Sequence, residues 1–213
     1  MEILKKDSKR SIKYDREKRY NSDKLFYKVY DKEGKFIGNI DIADEKSLSN
    51  EYLYGVTCFV INEKNEVLME VRANTELTPG KIDLVSGHVN GNEPGMKAVI
   101  RELYEEVGIL NVWPNQLHKV SSAAKPLGFE SKGKIKNFFI DFYCMLTKTE
   151  NVTSIQAEEV QDLRWVPMEE AFEMIRSGKT KFPKQGLRVN YEPIFNNVRA
   201  ICLDRDLNSS RTR

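Results

Sequence analysis

The chain has 213 residues, of which 34 are Lys or Arg and 32 are Asp or Glu, giving a formal net charge of +2. Apolar side chains make up 40% of the positions and aromatic ones 10%, which suffices for a hydrophobic core and excludes wholesale disorder. The small net charge excludes nucleic acid or an anionic membrane as the default partner of the whole molecule.

Neither targeting nor membrane insertion is indicated by the hydropathy pattern. The opening MEILKKDSKR contains no apolar stretch of signal-peptide length, and the most apolar segment, residues 138–146, is far shorter than a membrane helix of about 20 residues. We therefore expect a soluble, cytoplasmic protein. The cysteines (Cys58, Cys144 and Cys202) are odd in number and widely spaced, which predicts buried, reduced side chains.

The first 50 residues predict an extension with two parts. Residues 1–24 carry dense mixed charge with an excess of Lys and Arg, which is typical of a solvated arm. Residues 25–30 and 35–42 are rich in aromatic and β-branched side chains and are joined by turn-forming residues, so they predict a β-hairpin.

The remaining elements predict one domain over residues 51–204 and a flexible polar tail over 205–213. Helices are expected at 94–107, 168–177 and 192–202, and strands at 54–61, 66–72, 81–85, 117–124, 135–146 and 163–166. This order predicts an α+β fold, an α/β/α sandwich with a mixed parallel and antiparallel sheet between helices.

The helix at 94–107 combines an apolar face with a row of carboxylates. Pro94 suits the first helical position, and Gly108 suits the residue just past the end. Five residues share the arc predicted to face the core: Met96, Val99, Ile100, Leu103 and Val107. Glu102, Glu105 and Glu106 fill the adjacent arc, where they repel one another. A solvated acidic face would explain this pattern, but the glycine-rich segment before the helix favours a site for a hard divalent cation, Mg²⁺ or Mn²⁺.

Residues 87–109, GHVNGNEPGMKAVIRELYEEVGI, resemble the Nudix box. Its pattern is Gly, five residues, Glu, seven residues, Arg-Glu, an aliphatic residue, any residue, Glu-Glu, any residue, Gly and an aliphatic residue. Every fixed position is matched: Gly87, Glu93, Arg101, Glu102, Leu103, Glu105, Glu106, Gly108 and Ile109. The resemblance continues more weakly over residues 54–166. It implies the Nudix fold and the hydrolysis of a nucleoside diphosphate derivative by metal-activated water attacking phosphorus.

The resemblance also implies roles for individual residues. Glu102, Glu105 and Glu106 are the expected metal ligands, with the Ser86 backbone carbonyl as a further ligand. Two other box residues, Glu93 and Arg101, are expected to bind each other and brace the loop against the helix.

Two further expectations concern the general base and Gly87. The general base stays open among Glu102, Glu105 and Glu159, the last preferred over its neighbour Glu158 from its position before the last strand. We expect Gly87→Ala to damage folding or loop geometry if Gly87 adopts a positive φ.

A second resemblance concerns residues 85–88, which look like the corresponding stretch of isopentenyl-diphosphate isomerases. Those enzymes have a catalytic Cys at the position of Ser86 and a metal-binding His at the position of His88. The missing Cys and the complete box disfavour isomerisation, and we expect His88 to have a structural or substrate-edge role. The hairpin around residues 30–38 resembles that of isomerase-like Nudix hydrolases, which favours this branch of the family.

Partners follow from the same resemblance. Arg72 and Lys81 are candidate contacts for the substrate phosphates, although each would equally suit a surface charge. The expected partner is a small nucleoside diphosphate-type molecule, with no nucleic acid or membrane, and a homodimer is possible. A non-catalytic Nudix-fold nucleotide sensor is the remaining alternative.

Overall fold

The computed structural model describes residues 12–13, 26–41, 50–73, 79–113, 115–122, 127–131, 134–153, 159–185 and 190–211. The strands within these residues are β1 (Ile12–Lys13), β2 (Phe26–Tyr30), β3 (Phe36–Asp41), β4 (Tyr52–Ile61), β5 (Glu66–Arg72), β6 (Ile82–Asp83), β7 (Val85–His88), β8 (Asn111–Val112), β9 (Leu117–Ser122), β10 (Leu127–Ser131), β11 (Lys134–Leu146) and β12 (Val160–Pro167). The helices are α1 (Gly95–Val107), α2 (Met168–Arg176) and α3 (Glu192–Arg211), with a short 3-10 helix at Thr149–Asn151.

The main sheet is mixed and is built around β4. Strand β11 pairs with β4 in parallel orientation, and it also pairs with β9 and β10 in antiparallel orientation. Strands β5 and β7 also pair with β4, and β12 pairs with β5. The predicted N-terminal hairpin is formed by β2 and β3, and it joins the same sheet where Tyr30 pairs with Tyr52.

Helices cover both faces of this sheet, as the alternation of side chains along β4 shows. Cys58 and Val60 belong to an apolar cluster with α1, whereas Phe59 and Ile61 belong to a cluster with α2 and α3. All of these β4 side chains are at most 1% exposed. The predicted α+β sandwich with a mixed sheet is therefore confirmed.

The ends of α1 differ in how well the sequence located them. Gly108 has φ 70° and ends the helix in the left-handed region, as expected. Pro94, however, is the N-cap residue with an extended backbone, so the helix begins one residue later than predicted. Met96 is 43% exposed, and the buried face of the helix begins with Ala98 instead.

The predicted tail after residue 204 is wrong as far as Arg211, because α3 continues to that residue. Arg205 holds the extra turns against the domain by donating to Asn62 O at 2.6 Å and to Asn65 Oδ1 at 2.7 Å. The Ser210 hydroxyl bonds to the Leu207 carbonyl within the helix. These contacts give the polar C-terminal segment a partner that its composition does not reveal.

Two further findings concern the cysteines and the length of the helices. The cysteines are buried and free, as predicted. No helix in the described part of the chain is long and apolar enough to cross a bilayer.

Candidate active site

Strand β7 carries the start of the box against α1. It pairs with β4, and Gly87 lies where its missing side chain makes room for the Glu102 carboxylate. A Cβ at residue 87 would lie only 2.8 Å from Glu102 Cγ and would overlap the carboxyl group itself. Gly87 is not among the residues with positive φ, so the expected conformational reason was wrong. Glycine is required here by close packing rather than by backbone geometry.

Arg101 connects the box loop to the box helix. Its guanidinium donates to Glu93 Oε1 and to the His88 carbonyl, both at 2.8 Å. The same group contacts Glu102 Oε1 at 2.5 Å and Glu105 Oε2 at 3.3 Å. Arg101 is 7% exposed, so these charge-assisted bonds lie in a largely dry environment. The structure thus has the Glu93–Arg101 contact, and Arg101 also holds two of the three candidate metal ligands.

Two box glutamates are buried, and burial opposes their ionisation. Glu102 is 6% and Glu106 4% exposed. Burial raises the pKa of Glu102 to about 7 despite the neighbouring Arg101. Burial also raises the pKa of Glu106 well above its usual value, with a further contribution from Glu70. Glu106 Oε2 accepts a hydrogen bond from Ser86 N at 3.0 Å. Ser86, whose backbone carbonyl is a candidate metal ligand, therefore lies beside α1.

Three charged residues outside the box complete this cluster, and sequence reasoning missed all of them. Glu70 is 2% exposed, and burial followed by repulsion from Asp83 raises its pKa to about 8. Asp83 Oδ2 contacts Arg72 Nη1 at 3.0 Å and Lys181 Nζ at 2.5 Å. Glu70 and Asp83 are acidic residues within otherwise apolar segments, which is a signal that the sequence contains. No comparable feature of the sequence distinguishes Lys181.

The other residues predicted for the site differ in their distance from this cluster. Arg72 reaches the cluster through Asp83, whereas Lys81 is exposed. Glu159 lies beside the end of β5, where its backbone carbonyl accepts from Ala73 N at 2.9 Å, and its charge raises the pKa of Glu102. Glu158 lies outside the described residues.

His88 packs its ring among aromatic side chains. The imidazole stacks on Tyr27 with ring centroids 4.7 Å apart and meets the edge of Phe138 at 5.2 Å. Its backbone carbonyl, rather than its ring, is what contacts Arg101. This arrangement suits a structural role better than metal ligation.

The donor chemistry of the cluster fits a hard divalent cation. Four acids are buried here, Glu70, Asp83, Glu102 and Glu106. Arg72 and Lys181 contact Asp83, and Arg101 contacts Glu102. Moreover, Glu70 Oε1 is buried without a hydrogen-bond partner. Within the described ranges, no three Asp, Glu, His or Cys side chains are already grouped as metal ligands. The fit is therefore one of donor type and charge, not of preformed geometry.

A family model for the NUDIX domain matches residues 51–185, which is more than half of the chain. The chain belongs to the Nudix family. Nudix hydrolases generally use divalent metal ions, and the family match supports a hydrolase of this type. The match does not distinguish an isomerase-like branch.

Several solved structures are similar to this chain. DR0079 from Deinococcus radiodurans has a TM-score of 0.55 at 17% identity, covering 83% of this chain and 98% of that one, which shows a shared fold. The MutT protein from Methanosarcina mazei Go1 is 25% identical with a TM-score of 0.46, covering 73% of this chain and 94% of that chain. The NUDIX domain of Shewanella oneidensis NrtR, solved with ADP ribose, is 17% identical with a TM-score of 0.45, covering 76% and 90%. No curated protein matches the chain.

Proposed function

We propose that the protein is a Mg²⁺- or Mn²⁺-dependent Nudix hydrolase that cleaves a diphosphate linkage in a nucleoside diphosphate derivative. The observation that carries the proposal is the surplus of buried carboxylates around Glu102 and Glu106, which lie beside Ser86. Ionising these acids together costs stability, and either protonation or a bound cation removes that cost. A diphosphate, itself anionic, could then bind to that cation.

Each part of the cluster has a proposed task. Glu102, Glu105, Glu106 and the Ser86 carbonyl hold the metal. When bound, the metal neutralises the diphosphate and lowers the pKa of a water molecule. Arg101 keeps the carboxylates together and ties them to the loop at Glu93. These tasks divide the box between binding the ion and holding its ligands in place.

The substrate contacts and the base lie beside these ligands. Arg72 and Lys81 are the basic residues proposed for the substrate phosphates, and the contact of Arg72 with Asp83 in the acidic cluster supports Arg72. Glu102, Glu105 and Glu159 are the candidates for the general base. Loss of a base should lower kcat while Mn²⁺ affinity is retained, whereas loss of a ligand should lower the affinity as well.

The test is a substrate panel scored by product identity. Purified protein with Mg²⁺ is offered nucleotide sugars, ADP-ribose, dinucleoside polyphosphates and oxidised nucleoside triphosphates, and the products are separated by chromatography. Glu105→Gln and Glu106→Gln should abolish cleavage. Glu170→Gln, an exposed position on α2, is the matched control and should retain it. Absence of any cleavage of the panel by the parent protein would overturn the proposal.

The same panel separates the two alternatives. An isomerase would convert isopentenyl diphosphate without releasing phosphate, and a sensor would bind a nucleotide without turnover. The surroundings of the relevant residues do not favour the isomerase, because Ser86 Oγ bonds to Lys181 and the His88 ring packs against Tyr27. We propose that the domain predicted at residues 51–204, extended to Arg211 by the end of α3, is the catalytic domain and that its substrate is a small molecule.

A further inference from the structure

Lys181 lies far from the box in sequence, but the fold inserts its side chain among the carboxylates of the site. Its Nζ contacts Asp83 Oδ2 at 2.5 Å and Ser86 Oγ at 2.6 Å. The Asp83 side chain is completely buried, and that of Lys181 is 21% exposed. The ammonium group is therefore part of the cluster rather than a surface charge.

The backbone around Lys181 fixes this position. Lys181 N donates to Ile82 O at 3.0 Å, and Thr180 forms a parallel bridge with Ile82. The flanking side chains of Thr180 and Phe182 are 1% and 2% exposed. Because both neighbours are anchored in the domain, the Lys181 side chain is directed toward Asp83 by the fold itself.

The charge of Lys181 also acts on carboxylates that it does not touch. Its positive field lowers the pKa of both Glu70 and Glu106, in opposition to the effect of their burial. Lys181 thus partly neutralises acids on β5, β6 and α1 at once. A divalent cation bound by Glu106 and the other box glutamates would be attracted by these acids and repelled by the nearby ammonium group.

We propose that Lys181 is a built-in cation that sets the metal affinity of the site. It stabilises the carboxylate cluster when no metal is bound and opposes the metal when one binds. The inference rests on the proposed function, since it takes Glu102, Glu105 and Glu106 as the metal ligands. Lys181 is a positioning residue in this account, because it acts through the carboxylates and the metal.

The test measures Mn²⁺ binding to the full chain by titration calorimetry and by the electron paramagnetic resonance of free Mn²⁺. Lys181→Met removes the charge and keeps an aliphatic side chain. We expect it to bind Mn²⁺ about tenfold more tightly than the parent, because the bound cation no longer experiences repulsion from the ammonium group. Lys181→Arg keeps the charge and should have nearly parental affinity. Lys179→Met, at an exposed position two residues away, is the control and should bind as the parent does.

Metal-free unfolding provides the second readout. In EDTA, Lys181→Met should unfold at a lower urea concentration than the parent, because the buried Asp83 loses one of the two cationic partners it has among the described residues. If this variant does not fold, Lys181→Gln keeps a donor for Asp83 without the charge and should show the same tighter Mn²⁺ binding.

The outcomes separate this inference from the proposed function. Parental or weaker Mn²⁺ affinity in both uncharged variants, with clear binding by the parent, overturns the inference alone. If neither the parent nor any variant binds Mn²⁺, the metal-dependent function fails together with it.

Discussion

Gly87→Ala tests the close packing between β7 and α1. The new Cβ would lie 2.8 Å from Glu102 Cγ, well inside the usual contact distance of about 3.5 Å between carbon atoms. Glu102 cannot move away without cost, because it is 6% exposed and held by Arg101. We combine about 1–3 kcal/mol for the overlap with about 1.5–3 for the weakened charged hydrogen bond, and subtract about 0.4–1 for the stiffer unfolded chain. The free energy of unfolding should fall by about 1.5–5.5 kcal/mol.

The assay is urea unfolding in EDTA, so that metal binding does not contribute. Gly38→Ala in β3 is the matched control, because its Cβ would meet no atom within 4 Å, and it should change stability little. In a Glu102→Ala background the Gly87→Ala penalty should largely disappear, as the two side chains no longer compete for space. The reasoning is refuted if the penalty is equal in both backgrounds, or if Gly87→Ala costs no more than Gly38→Ala.

Three further predictions concern charge and the C-terminal helix. The pKa values of about 7 for Glu102 and about 8 for Glu70 lie above the ordinary value of 4.5, so the unfolded chain loses these protons first. Metal-free stability should therefore fall as pH rises from about 4.5 to about 8, and Mg²⁺ should weaken this fall, which a series of thermal melts with EDTA or Mg²⁺ will show. Arg101→Lys cannot reproduce the forked guanidinium contacts and should lower the free energy of unfolding by about 1–3 kcal/mol in urea; an unchanged midpoint would contradict the bracing role. Arg205→Ala removes the bond to the Asn62 carbonyl and should cost about 0.5–3 kcal/mol in the same assay, whereas no loss would show that the end of α3 does not support the domain.

The structure of the box could be predicted from the sequence because the interacting residues are close together in the chain. The helix, its end at Gly108 and the position of Arg101 follow from spacing within about twenty consecutive residues, where helical geometry fixes which side chains are neighbours. The hairpin in residues 26–41 is equally local, because its two strands and turn are adjacent in the chain.

The rest of the site depends on pairing between distant segments. Glu70 meets Asp83 because the register of β5 and β6 places them opposite each other, and no periodicity in either strand announces that register. Lys181 arrives only through the docking of its backbone on Ile82. The sequence indicated Arg72 and Lys81 as possible phosphate contacts from their positions before the box, and of these two Arg72 contacts Asp83 whereas Lys81 is exposed. Long-range register therefore decides which charges surround the box.

The central claim is that water attacks a phosphorus atom of a diphosphate at this site with the help of a metal. The most direct measurement is cleavage of a susceptible nucleoside diphosphate derivative in ¹⁸O-labelled water with Mg²⁺, followed by mass spectrometry of both products. We predict one ¹⁸O atom in a phosphate group of one product, no cleavage in EDTA, and no cleavage by Glu106→Gln. Cleavage that leaves ¹⁸O out of every phosphate, or that persists at the parental rate in EDTA, would contradict the claim.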